Sequence, residues 1–276
     1  PEIRSTLIPQ SVLVIGRTTL SRSINAFIKS SPITYVVDQR LATVDSDRQA
    51  DRKFTELPDL QGVIQSDEWI AKWNKVSERA QKLIGSMDGW NEAVIARTIA
   101  ATIPDGTALF VSSSRPIRDL EGFAHPRTGV HTYANRGLAG IDGNISTALG
   151  VAYGHKATIA ILGDLSFLHD LTGLINKEEI NCRFIVINND GGGIFSTLPQ
   201  RGVNGFETVF GTPHGLNPAA IAQAMGVQAK QITSLKELEA EVKAPISGVS
   251  VVVCDVPDRE SNADTLKRVV EDLSSI

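Results

Sequence analysis

Cysteine is scarce in this chain of 276 residues: Cys182 and Cys254 stand alone, each at one end of an apolar run. Two thiols in strand-like settings read as buried side chains, which excludes a disulfide framework and leaves no ligand set for structural zinc. Long hydrophobic runs are missing as well. None approaches the roughly 20 residues that cross a bilayer, and Pro1-Glu2-Ile3-Arg4 has neither the charged nor the apolar region of a signal peptide. A cytoplasmic setting is the expectation. Aromatic residues make up 5% of the chain, the formal net charge is −4, and no basic stripe is interleaved with aromatics, so a nucleic-acid surface is excluded. The five histidines, His125, His131, His155, His169 and His214, show no metal-ligand spacing and flank no serine-nucleophile motif. That assigns them to structure or solvent.

What is present is a hydrophobic fraction of 42%, ample for a core, arranged as short apolar runs alternating with helical periods. Strand patterns at 11–15 and 33–37 flank a helix over 20–28, which reads as the tail of a first α/β domain. Residues 42–65 turn polar and aperiodic and read as a linker. A helix over 67–84 follows, with Trp69, Trp73, Val76 and Ala80 on one face, positions suited to packing. Residues 1–65 are therefore assigned to the first domain with its linker, and 66–276 to a second domain with this leading helix. After a helix at 91–101, strands are expected at 108–111, 157–162, 184–187 and 249–254. Helices at 145–153, 166–180, 218–225 and 235–242 alternate with them, and one at 262–273 closes the chain. Such alternation predicts an α/β fold with a doubly wound, mostly parallel sheet.

Two of these strands end on polar pairs. Gly163-Asp164 follows one and Asn188-Asn189 the next, both at carboxyl strand ends, where open α/β sheets bind their ligands. A crossover helix over 166–180, with Leu168, Leu171, Leu174 and Ile175 on one face, would make the two ends neighbours. A carboxylate and an amide oxygen are hard ligands suited to Mg²⁺ (or Mn²⁺), an ion that shares its shell with phosphates. The backbone amides of Leu165 and Ser166 would open the crossover helix toward phosphate oxygens. In the glycine-rich loop after Asn189, the Gly191 carbonyl is a candidate third metal ligand, because glycine lets the backbone approach closely. Taken singly, each pair is an ordinary strand-end turn; the functional reading rests on their combination.

That combination resembles the cofactor signature of thiamin-diphosphate enzymes. Four blocks carry a narrower likeness: Ser112-Ser113-Ser114-Arg115-Pro116-Ile117-Arg118-Asp119, the stretch from Tyr133 to Gly143, Gly163 to Asp170, and Asn188 to Ser196. In order and spacing they resemble the 2-succinyl-5-enolpyruvyl-6-hydroxy-3-cyclohexene-1-carboxylate synthase family. Leu165 stands where most thiamin-diphosphate enzymes carry glycine, which narrows the subfamily, and Asp190 stands where asparagine is expected. The resemblance implies the thiamin-diphosphate-binding fold, in its diphosphate domain, preceded by part of a second α/β domain. It also implies a chain that begins inside the middle of three domains and lacks the one whose glutamate activates the aminopyrimidine. No catalytic residue is then assignable, and the chain alone is expected to be inactive.

The same resemblance distributes the other roles. Cofactor contacts fall to Ser114, Ile141, Gly163, Asp164, Leu165, Ser166, Asn189, Gly191 and Ile194, with Ile141 beneath the thiazolium. The metal falls to Asp164, Asn189 and Gly191. Substrate contacts fall to Arg22, Ser114, Arg118, Arg136, Ile194, Phe195 and Leu198, the arginines lying in or just after glycine- or serine-rich loops, where a guanidinium can grip a carboxylate with two hydrogen bonds. The implied reaction decarboxylates 2-oxoglutarate and adds the resulting carbanion to isochorismate, a transferase step of menaquinone biosynthesis run by a homodimer or dimer of dimers. Two other readings share features with it. An acetolactate-synthase-like carboligase would have the same clamp but is disfavoured by Leu165 and by the Arg118 and Arg136 blocks; a non-catalytic nucleotide-binding or interaction module would explain a missing glutamate.

Overall fold

The computed structural model describes residues 2–16, 21–40, 50–61, 66–135, 139–175 and 179–275. They form two compact units, Pro1–Ser86 with Glu271–Ile276, and Met87–Val270. In the first, α1 (Glu2–Leu7) precedes a parallel sheet of β1 (Val12–Ile15), β2 (Thr34–Val37) and β3 (Arg52–Phe54), in that order. Between β1 and β2 runs α2 (Arg22–Ser30), capped by Ser21 Oγ, which accepts the Ile24 amide at 3.2 Å. β3 falls inside the stretch expected as linker; three residues, two of them exposed, are too few to show an alternation. α3 (Asp67–Gly85) belongs to this unit. Its Trp69 and Trp73 rings lie 5.8 Å apart, and Trp73 meets Phe27 edge-on at 5.5 Å, so both tryptophans serve packing.

The second unit runs α4 (Glu92–Thr102), β4 (Ala108–Val111), α5 (Arg115–Phe123), β5 (His131–Tyr133), α6 (Asn144–Tyr153), β6 (Thr158–Gly163), α7 (Asp164–Leu168), β7 (Cys182–Asn188), α8 (Pro218–Ala224), β8 (Gln228–Ile232), α9 (Leu235–Lys243) and β9 (Val249–Asp255). After β9, α10 (Arg259–Ser274) closes the chain. The sheet is parallel throughout, in the order β5-β4-β6-β7-β9-β8. From β4 the chain moves outward to β5 and then returns past β4 to β6. The order therefore reverses between β4 and β6, which makes that boundary the ligand-binding crevice of a doubly wound sheet.

Side-chain alternation along the strands builds a core on each face. Phe110, Ala160, Leu162, Phe184 and Val186 point toward α6, α7 and α8, where Ile145, Phe167 and Ala222 meet them. Leu109, Val111, Ile159, Ile161, Ile185 and Ile187 point the other way, toward Ile95 and Ile99 of α4 and Leu238 and Val242 of α9. Cys182 belongs to the first cluster and Cys254 to the second, so the sheet separates two free thiols; burial pushes Cys182 up to about 12 and raises Cys254 as well. No described helix is long and apolar enough to cross a membrane.

The crossover between β6 and β7 departs from expectation. Of the helix expected over 166–180, residues 176–178 lie outside the described residues; up to 175 there is the short α7 and then a single tight turn, Leu171–Leu174, and Ile175 is 71% exposed. Contact with α6 explains the break. Asp170 accepts the Ser146 amide at 2.7 Å and its hydroxyl at 3.1 Å, and a Cβ at Gly173 would sit 2.8 Å from Ser146 Oγ and 2.9 Å from Ile145 Cγ2. The segment is pressed too tightly onto α6 to keep a regular helix. Phe184, fully buried on the central strand β7, tests the core: Phe184→Ala should destabilise by about 3–5 kcal/mol, read as a lowered urea midpoint.

Candidate active site

Three carboxyl strand ends converge at the reversal point. β4 delivers Ser113 to Pro116, β6 delivers Gly163 to Ser166, and β7 delivers Asn189 and Gly191 to Phe195; with Ile141, these line a cleft of about 160 Å³. β6 and β7 pair in register up to Gly163–Ile187, which places Asp164 and Asn189 side by side, one residue and two residues beyond the last pair. Parallel pairing thus does what the crossover helix was expected to do.

Asp164 is 2% exposed. Its Oδ1 accepts the Leu165 amide at 2.7 Å, and its Oδ2 accepts the Gly191 amide at 2.8 Å and lies 3.2 Å from His214 Nε2. The Leu165 amide, expected to face phosphate, is turned onto the carboxylate. Hydrogen bonding to Asp164 raises His214 above its ordinary value against the opposing effect of burial. Asn189 is 8% exposed, donates its side-chain amide to Glu92 Oε1, and keeps an Oδ1 that is buried with no partner among the described residues. Buried acceptors rarely go unmatched. An acidic oxygen and an orphaned amide oxygen, side by side at a cleft, are the donor chemistry of a hard divalent cation. Among the described residues no three His, Cys, Asp or Glu cluster around a common point; the candidate ligands here are one carboxylate, one amide and backbone carbonyls.

The loop after Asn189 is shaped by close approach. Gly191 has φ 133°, and a Cβ there would run into the Gly211 carbonyl; one at Gly192 would run into the Phe210 carbonyl. The Gly192 amide donates to Gly211 at 2.7 Å, and Arg259 ties the Asp190 carbonyl to the Glu207 carboxylate. Asp190, at φ 60°, accepts the His214 and Gly215 amides at 3.0 and 2.8 Å. Burial pushes the Asp190 carboxyl upward, but these two amides outweigh it and hold the group below its usual range.

Behind Asn189 stands a buried polar chain. Glu92 Oε2 lies 3.4 Å from Arg115 Nε, and Arg115 reaches on to Asp119. Burial pushes Asp119 up to about 8 against the pull of Arg115 and Arg118. No local motif announces Glu92 or His214 as partners of the site, since each reaches it only through tertiary packing, whereas Arg115 stands inside the quoted block 112–119, which does not single it out.

Of the residues picked from the sequence, Ser114, Ile141, Gly163, Asp164, Leu165, Ser166, Asn189, Gly191, Ile194 and Phe195 all line the cleft. The Ile141 carbonyl is held by Asn144 Nδ2 at 2.7 Å and Ser166 Oγ at 3.1 Å. Leu198 and Arg118 stand outside the lining; Arg118 Nη1 donates to the Ser114 carbonyl at 2.7 Å. Arg136 lies outside the described residues, and Arg22 is an exposed first-turn residue of α2 in the other unit. Ser114 has φ 75° and ψ −129°, a conformation that L-residues rarely adopt. Ser114→Gly should therefore stabilise the fold by about 1 kcal/mol, measured by urea unfolding, and a lower midpoint would refute strain at this position.

Over residues 119–256 the chain matches the family described as thiamine pyrophosphate enzyme, C-terminal TPP binding domain. It is similar to proteins named 2-succinyl-5-enolpyruvyl-6-hydroxy-3-cyclohexene-1-carboxylate synthase: 36% identical over 82% of the chain to one from Thermobifida fusca, 31% over 97% to one from Bacillus cytotoxicus, and 33% over 97% to one from Lysinibacillus sphaericus. These alignments cover 43%, 49% and 50% of the relatives, so the chain spans about half the length of the curated relatives it matches. The matched segment holds Ile141, Asp164, Asn189 and the glycine loop, and on that match the chain belongs to the thiamine pyrophosphate enzymes, through their C-terminal TPP-binding domain.

Proposed function

We propose that this chain supplies the diphosphate-and-metal half of a carboligase active site. The reaction is decarboxylation of 2-oxoglutarate and conjugate addition of the four-carbon product to isochorismate, giving 2-succinyl-5-enolpyruvyl-6-hydroxy-3-cyclohexene-1-carboxylate for menaquinone biosynthesis. The observation that carries the reading is that Asp164 and Asn189, whose Oδ1 has no partner among the described residues, stand at the neighbouring carboxyl ends of β6 and β7 and line one cleft. The names of the similar proteins give the product of that reaction, and its substrates are what the resemblance of the four sequence blocks implies.

Thiamin diphosphate, when bound, supplies the electron sink that a decarboxylation needs. Asp164 and Asn189 would hold Mg²⁺ or Mn²⁺ against the diphosphate, with the Gly191 carbonyl as a further ligand. His214 and the Gly191 amide keep the Asp164 carboxylate fixed, and Ile141, pinned by Asn144 and Ser166, keeps an apolar wall at the base of the cleft. Ile194 and Phe195 shield the opposite side from water, which strengthens every electrostatic contact inside. Arg118 and Arg136 are assigned to substrate carboxylates, with Ser114 as hydroxyl donor. The resemblance implies that the glutamate that activates the aminopyrimidine comes from a domain of a second subunit in a homodimer.

Two experiments test this reading. Asp164→Ala should abolish Mg²⁺-dependent binding of thiamin diphosphate followed by calorimetry; unchanged affinity would end the metal assignment. Placed in a full-length three-domain protein, Arg118→Ala and Arg136→Ala should lose about 1.5–3 kcal/mol of substrate interaction in kinetics with 2-oxoglutarate and isochorismate, while cofactor binding stays intact. Wild-type kinetics in both variants would remove these arginines from the site.

A further inference from the structure

Glu92 is the first residue of α4, and its side chain is 4% exposed. A carboxylate placed there costs desolvation and adds nothing to the apolar core around it, so its partners must account for it. Its Oε1 accepts from the Asn189 amide nitrogen, its Oε2 lies 3.4 Å from Arg115 Nε, and its backbone amide donates to Asn262 Oδ1 at 3.3 Å. Arg115 is held in turn by Asp119, one turn along α5.

The decisive point is the asymmetry of the groups. A carboxylate can only accept hydrogen bonds, whereas a side-chain amide has a donor end and an acceptor end. Opposite Glu92, Asn189 must present its NH₂, and its oxygen is then forced to the other side. That oxygen is the buried Oδ1 with no partner among the described residues, and Asn189 lines the cleft. Glu92 thus selects one of the two amide orientations, and Arg115 offsets the charge that does the selecting.

We infer that Glu92 is a positioning residue, which orients the Asn189 amide so that its oxygen faces a divalent cation carrying a diphosphate. The inference rests on the metal reading given under the proposed function. An ion pair that merely fastened α4 to α5 would need Arg115 but would have no use for the Asn189 contact. The two roles separate in a reciprocal substitution. Glu92→Gln keeps the size of the side chain but introduces a donor, so either amide orientation becomes acceptable. Adding Asn189→Asp to that variant rebuilds the directional bond in reverse: the glutamine NH₂ donates to one aspartate oxygen and leaves the other for the cation.

The test is Mn²⁺ binding to the full chain at saturating thiamin diphosphate, followed by electron paramagnetic resonance. Glu92→Gln should weaken Mn²⁺ binding by about 10- to 100-fold, the usual effect of removing an outer partner of a metal ligand. The double variant Glu92→Gln/Asn189→Asp should recover to within about threefold of wild type, a readout that a fastening role would not move. Recovery in the double variant supports the inference even where Glu92→Gln alone folds poorly. Mn²⁺ affinity in Glu92→Gln within about twofold of wild type, or a double variant no tighter than Glu92→Gln, overturns it and leaves the metal reading standing. A wild-type chain that takes up no Mn²⁺ with thiamin diphosphate present overturns both.

Discussion

The in-register parallel pairing of β6 with β7, from Thr158–Cys182 to Gly163–Ile187, decides where every polar group of the cleft can stand. Parallel strands end on the same side of a sheet, so the residues just past each end share one edge. Asp164 and Asn189 are neighbours for that reason and for no other. Because β4 lies on the far side of β6 and the chain reverses there, the Ser113–Pro116 turn faces the same space. The apolar alternation that buries Ile161 on one face and Leu162 on the other also keeps the register from slipping, since a shift of one residue would invert both clusters. The core and the site are thus specified by a single pattern.

A second constraint is charge. Glu92, Asp119 and Asp164 are all buried, and isolated carboxylates in such places are costly. Arg115 stands between the first two, while Asp164 is met by two backbone amides and His214. Asn189 is matched at its nitrogen, while its oxygen has no partner among the described residues. Ser113 Oγ, Asn144 Oδ1 and Arg115 Nε are also buried without a hydrogen-bond partner among the described residues; Asn189 Oδ1 differs from them in being the amide oxygen of a residue that lines the cleft.

The central strands were legible because burial on both faces writes itself as an uninterrupted apolar run; β4 occupies the four residues that its pattern predicts, and β6, β7 and β9 differ by one or two at their ends. The edge strands were not. β5 is exposed at all three positions and β8 reads Gln-Ala-Lys-Gln-Ile, so neither carries the buried-strand signature. At the site, Asp164 and Asn189 could be named because strand ends are visible in sequence. Glu92 and His214 could not, since Glu92 meets Asn189 across 97 residues and His214 meets Asp164 across 50. His214 illustrates the limit well: its isolation in sequence pointed away from the site, whereas the loop clamped by Arg259 brings it onto the candidate metal ligand.

These features set the cleft against the rest of the fold. Ser114 and Asp190 both hold positive φ, the Asn189 oxygen is desolvated without a partner, and Gly191 and Gly192 leave no space between the loop and the turn at 207–211. The positive φ at Ser114 and Asp190 and the Asn189 oxygen, unmatched among the described residues, each cost free energy, and the two cores flanking the sheet offset that cost. A cation and diphosphate would find acceptors already desolvated and oriented, so little reorganisation would accompany binding. By mass action the same ligands would stabilise the fold in proportion to their affinity. Local instability and readiness to bind are therefore one property of this cleft, placed at the strand ends because the middle of the sheet, packed on both faces, has no room for either.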